Sequence, residues 1–180
     1  DYPDITVEIT LDYGLVDIVS ERFDAGVRLG EQVAKDMIAV RMAPDMQMAV
    51  VAAPGYLEKQ ARPVVPQDLV SHRCINLRLP TSGGLYVWVF EKTGREIKVR
   101  TEGPLVFNTI DLIIEAALDG FGLGYLPLDQ VEKHVESGRL VSVLEDWCPL
   151  LSGYHLYFPS RRQHHPAFAL LVDALRYQNR

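Results

Sequence analysis

The stretch FNTIDLIIEAALDGFGLGYLP, residues 107–127, constrains the fold more than any other part of the chain. It reads as the end of a strand, an amphipathic helix near 110–118, a glycine stop, a short strand at 123–126 and a proline exit. A strand that enters a helix and returns to a strand is the unit of an α/β fold, whose sheets are covered by helices. The same order exposes the first helical amides beside Asn108 and Thr109, where the dipole favours a small anion. The plainer role for either residue is to cap the helix.

The remaining chain continues this alternation. Ile5, Val7, Ile9 and Leu11 alternate with polar residues and predict a strand over 5–11. A helix over 15–23 and a strand over 25–29 follow, then strands at 37–42 and 46–52 around the turn Ala43, Pro44, Asp45. Pro54 and Pro66 each suit the first turn of a short helix, where a missing amide is harmless. A strand at 73–77 precedes a hairpin, 86–91 with 95–101, turning at Lys92, Thr93 and Gly94. After 105–127 come a helix opened by Pro127 and closed by Gly138, strands at 140–143 and 154–158, and a helix from Pro166. Strands alternating with helices predict largely parallel sheets.

Charge and motif arguments narrow the function. The net charge of −6 lacks the basic footprint of a nucleic-acid-binding surface. No apolar run is long enough to span a bilayer, and Cys74 and Cys148 form neither a CxxC pair nor a disulfide framework, which fits a reducing, cytoplasmic setting. Cys74 and Trp88 read as core residues. The histidines show no zinc spacing, and His164 with His165 reads as an exposed loop. No G-x-S-x-G elbow is present. The glycines at 120, 122 and 124 close a helix instead of opening one, so they are not a dinucleotide fingerprint. Neither cofactor nor metal is expected, and no catalytic role.

The helix over 110–118 carries more apolar surface than one contact requires. Asp111, Glu115 and Asp119 form a single polar stripe, and nearly everything else is apolar. Either the helix meets a partner subunit or it is sunk in its own core.

The motif at 107–127 resembles a signature of the effector-binding domain of LysR-type bacterial transcription regulators. Three further passages resemble that family in the right order: DYGLVDIVSERFDAGVRLG at 12–30, MAVVAAPGYL at 48–57, and YFPSR at 157–161 followed by HPAFALLVDAL at 165–175. The resemblance covers nearly the whole chain. It implies an α/β, two-lobed fold similar to type 2 periplasmic binding proteins, each lobe a mostly parallel sheet flanked by helices. Lobe I would be residues 1–52 and 127–180, and lobe II residues 53–126. A strand and helix that precede residue 5 in the family, and a DNA-binding winged helix-turn-helix, are not in this sequence.

By the same resemblance, a small organic anion is expected between the lobes as effector. Arg28, Thr81, Ser82, Asn108, Thr109 and Leu126 are the expected contacts. Arg28 offers a planar fork for a carboxylate; its plainer role is an ion pair. The family often carries a serine before the first crossover proline, whereas Ala53 precedes Pro54 here. Pairing of two copies is expected through Ile110, Ile113, Ile114 and Ala117, and contact with DNA only through the absent domain. A solute-binding protein serving transport is the alternative on the same fold.

Overall fold

The computed structural model describes residues 2–12, 14, 16–30, 33–34, 36–80, 83–159 and 165–178. The chain forms two compact units, residues 1–45 with 151–180 and residues 46–150. It changes unit at the turn after residue 42 and again at Leu151, not at the expected 52/53 and 126/127. The reason is pairing: residues 46–52 are hydrogen-bonded along their length to strands that follow them, so they belong with those strands.

In the first unit, β1 (Gly26–Leu29) and β2 (Met37–Arg41) flank β11 (Tyr154–Pro159), both antiparallel to it. Successive residues of β11 face opposite ways. Leu156 and Phe158 point with Val40 towards Val172 of the last helix, Pro166–Leu175, and form one core cluster. Phe158 and Phe168 meet edge to face at 5.0 Å, a favourable aromatic geometry.

Two sequence expectations fail in this unit. Residues 5–11 form no strand, because among the described residues no strand pairs with them. Val7, Ile9 and Leu11 stand exposed. The expected helix over 15–23 is a single turn. The Asp17 carboxylate accepts the amides of Val19 at 2.9 Å and Ser20 at 3.4 Å, a local turn that competes with helix. These amides hold the Asp17 carboxyl below its usual pKa, and Arg22, at φ 62°, ends the turn.

The second unit is built on β3 (Met46–Ala52), β4 (Cys74–Leu77), β7 (Leu105–Phe107) and β8 (Leu123–Pro127), ordered β3-β8-β4-β7. β9 (Val141–Val143) and β10 (Leu150–Leu151) add to β3. β4 runs parallel to β7 and β8, whereas β3 is antiparallel to β8 and β9. The sheets are therefore mixed in one unit and antiparallel in the other, not mostly parallel. The α/β class itself stands.

Helices α1 (Pro54–Leu57), α2 (Ile110–Leu118) and α3 (Leu128–Glu136) complete this unit. Ala49 and Val51 of β3, Ile75 of β4 and Leu126 of β8 join Ile113, Ala117 and Val131 in one core cluster. Truncating Ile113 to Ala would cost about 2–5 kcal/mol, the usual loss for an aliphatic side chain buried this deeply. Tyr125 faces the other way. Its hydroxyl donates to the carbonyl of Val89 at 2.6 Å and its ring stacks on Trp88 at 5.3 Å, so the hairpin of β5 (Trp88–Lys92) and β6 (Arg95–Val99) covers that face.

The glycines after α2 have separate structural causes. Gly120 sits at φ +76°, where the helix closes with the amide of Phe121 on Ala116 O and that of Gly120 on Ala117 O. Gly124 lets α2 approach the sheet, since a Cβ there would stand 3.2 Å from Ile113.

Candidate functional site

Parallel β4 and β7 end side by side, with Leu77 in register with Phe107. The next residues, Arg78 and Asn108, therefore share the carboxyl edge of the sheet, where open α/β folds bind ligands. The Arg78 amide donates to Phe107 O at 2.7 Å and extends the pairing by one residue. The loop beyond β4 folds back on itself: Leu79 donates to Gly84 O, Gly83 donates to Leu79 O, and the Arg78 guanidinium donates to Gly83 O, at 2.9, 2.9 and 2.5 Å.

Across this edge α2 begins. Thr109 precedes it in extended conformation (φ −133°, ψ 145°), and among the described residues no side chain caps the first turn. Among the described residues the plain capping role expected for Asn108 or Thr109 is therefore unfilled, and the first helical amides lie beside exposed Asn108 and half-buried Thr109. Such amides with the positive end of the helix dipole can receive a carboxylate.

The other expected contacts are placed differently. Thr81 and Ser82 lie outside the described residues. Leu126 is fully buried in the core cluster with Ile113 and Val131, so it has no surface to offer a ligand. The crossover that made it a candidate is not there. Arg28, in the first unit, neither forms the ion pair of its plainer reading among the described residues nor stands idle. Its Nε donates to the Tyr157 hydroxyl at 3.0 Å, and a terminal nitrogen donates to Gly14 O at 2.9 Å and, more weakly, Val16 O at 3.5 Å. Arg78 was missed by sequence reasoning, although it directly follows the predicted strand at 73–77.

The expected interface residues of α2 are also otherwise engaged. Ile113, Ile114 and Ala117 are 2%, 8% and 0% exposed in the unit's own core, and Ile110 packs against the same cluster. Of the two explanations for the helix's apolar surplus, depth in its own core accounts for these residues. Leu112 is the large apolar side chain of α2 that remains exposed.

The buried ionisable groups lie away from this edge and are tuned against reactivity. Burial pushes the Cys74 thiol up to about 12 and the Cys148 thiol to about 11, and it also raises the phenol of Tyr125. Both cysteines are free. Buried His72 accepts from or donates to the Tyr56 hydroxyl through Nδ1 at 3.2 Å, and that hydroxyl accepts the Arg73 amide at 3.1 Å. Among the described residues no group of three His, Cys, Asp or Glu is placed to hold a metal ion. Among the described residues no helix is long and apolar enough to cross a membrane.

An α/β architecture with a helix start at the edge of parallel strands is one on which small-molecule sites are commonly built. Its fold is that of the regulatory domain of AphB in Vibrio vulnificus, with TM-score 0.80 at 22% identity over 97% of this chain and 84% of that one. The regulatory domain of CrgA from Neisseria meningitidis is also similar, with TM-score 0.69 at 22% identity over 87% of this chain and 76% of that one. The chain belongs to the LysR substrate binding domain family, whose model matches residues 1–180. It is 55% identical over 177 residues to a putative transcriptional regulator of Pseudomonas aeruginosa, covering 98% of this chain and 58% of that protein. It is 52% identical over 177 residues to the HTH-type transcriptional regulator PgrR of Escherichia coli, covering 98% and 59%. The chain thus spans somewhat over half the length of these relatives.

Proposed function

We propose that this domain is the effector sensor of a LysR-type transcription regulator and binds a small organic anion at the edge formed by Arg78, Asn108 and Thr109. The observation that carries the reading is the uncapped start of α2 at the carboxyl ends of β4 and β7. Open amides, a neutral amide side chain and a nearby guanidinium suit a carboxylate better than a cation. Binding would favour one conformation of the domain and so shift the population of states. In the intact protein that shift is passed to a DNA-binding part, since the Escherichia coli relative is named HTH-type. The acidic domain itself, at net charge −6, does not touch DNA.

The reading extends to a cytoplasmic protein that acts as a homodimer or higher oligomer, without catalysis. Transport of a solute is disfavoured, because the relatives that match nearly all of this chain are named as transcriptional regulators.

The test is thermal unfolding against a panel of small carboxylates, aromatic acids, amino acids and sugars, followed by calorimetry with the best compound. One class of acid should raise the midpoint by mass action. Arg78→Ala and Asn108→Ala should each weaken its binding by about tenfold, the scale of a lost charge-assisted contact. Stabilisation by sugars alone, or unchanged binding in both variants, would remove the anion from this edge.

A further inference from the structure

We propose that a groove at the opposite end of α2 binds a small zwitterion of the α-amino-acid class. The groove has a volume of about 510 Å³ and is bordered by Gly55, Tyr56, Lys59, Arg73, Asp119 and Gly120, among others. Asn108 and Thr109 lie at the other end of the helix, about 13 Å away along nine residues of 1.5 Å rise. The proposal is therefore independent of the effector reading.

The charges around this groove are not closed on one another. Lys59 follows α1, Arg73 precedes β4, and Asp119 ends α2. None of the three takes part in an ion pair among the described residues. Other surface charges of this protein do close on each other, as Arg41 does on Asp45 at 2.8 Å and Lys92 on Asp146 at 3.3 Å. Asp119 is also unfavourably placed. It occupies the C-cap of α2, with no basic residue in the last turn to offset the negative end of the dipole. An uncompensated carboxylate in that position costs local stability, which a cationic group bound beside it would offset.

A ligand that satisfies this arrangement carries an anionic group for Lys59 and Arg73 and a cationic group for Asp119. An α-amino acid bears both on one carbon. Its ammonium would also relieve the helix end, which favours positive charge. The wall between the charges is held in place: the Arg73 guanidinium lies over the Tyr56 ring at 5.4 Å, and the Gln60 amide donates to Ser71 O at 3.1 Å. A Cβ at Gly55 would meet nothing within 4 Å, so the groove is open beside that backbone.

The experiment is a titration of the 180-residue chain with L-glutamine, followed by backbone amide NMR, with butyrate and butylamine as single-charge controls. L-Glutamine should give saturable shifts at Gly55, Gly120 and neighbouring amides, and each control should bind at least about tenfold more weakly. Arg73→Gln and Asp119→Asn should each weaken L-glutamine by a similar factor, and the thermal midpoint of Asp119→Asn should not fall. Gly55→Leu should block the groove while leaving the fold intact, as judged by its spectrum. Butyrate binding as tightly as L-glutamine, affinity unchanged in Asp119→Asn, shifts confined to residues 108–111, or no saturation at tens of millimolar would each overturn the proposal.

Discussion

Arg28 reaches diagonally across the β1–β11 pair to Tyr157, its Nε donating to the phenol oxygen at 3.0 Å and its guanidinium carbon 5.6 Å from the ring centroid. The same side chain ties the carbonyl of Gly14 to the sheet. Its first role is thus to fasten a turn to a strand. Tyr157→Phe should cost about 0.5–1.5 kcal/mol and Arg28→Met about 1–3 kcal/mol, because the second change also releases the backbone contacts. Urea unfolding measures both, and two variants as stable as the parent would deny Arg28 this role.

Asn76 and Thr101 form a second test of polar burial. The Thr101 hydroxyl donates to Asn76 Oδ1 at 2.6 Å, and the Asn76 amide donates to Cys74 O at 3.4 Å, with both residues nearly inaccessible. Thr101→Val leaves the Asn76 acceptor buried without its partner and should cost about 1–3 kcal/mol. In a double-mutant cycle with Asn76→Ala, the two changes should cost less together than the sum of the singles. Strict additivity would mean that the contact is not formed in solution.

Stability should also fall on mild acidification through His72. Its pKa is lowered by burial, an effect partly opposed by the Asp68 carboxylate. The unfolded chain takes up this proton near pH 6.5 while the folded chain resists it, so stability declines as pH drops through that value. The Tyr56 oxygen accepts the Arg73 amide at 3.1 Å and lies 3.2 Å from Nδ1 of His72, so the imidazole sits in a buried hydrogen-bonded group with no carboxylate in it. His72→Gln, which keeps an acceptor but cannot ionise, should flatten the thermal midpoint between pH 7 and 5. Asp68, whose pKa is lowered by the amides of Val64 and Val65, loses its contribution only below the ordinary carboxyl value of 3.8, outside that window. An unchanged slope in His72→Gln would place the sensitivity elsewhere.

The thiols should be silent in the native protein. With Cys74 pushed up to about 12 and Cys148 to about 11 by burial, their thiolate populations at neutral pH lie orders of magnitude below that of a free cysteine. Labelling with a chromogenic disulfide should follow the urea unfolding curve and show no fast native phase. One rapid equivalent in native buffer would contradict the burial of one of the two.

Elements bracketed by their own punctuation were legible in the sequence. The helix over 110–118 and the strand end that precedes it coincide with α2 and β7 because Gly120 and the change in apolar period mark their limits. Residues 5–11 had the pattern of a strand, but a strand also needs a neighbour, which pattern does not record. The mixed polarity of the sheets was hidden for a similar reason, since direction depends on how non-adjacent strands are joined. Apolar counting could not tell whether Ile113 and Ala117 met a subunit or a core. Part of the candidate site was visible, as Asn108 and Thr109 sit at a strand end. Arg78 became a member only through the register of Leu77 with Phe107, a non-local fact.

The division of the chain sets an order of assembly during synthesis. β1 and β2 emerge early, yet the strand that lies between them, β11, follows the whole of residues 46–150. The continuous unit can gather its core as soon as its last strand leaves the ribosome. The first forty-five residues must wait, with Val40 uncovered, until their central strand arrives. A premature stop just before Tyr154 would therefore spare one unit and leave the other as unpaired edges, the material from which aggregates grow.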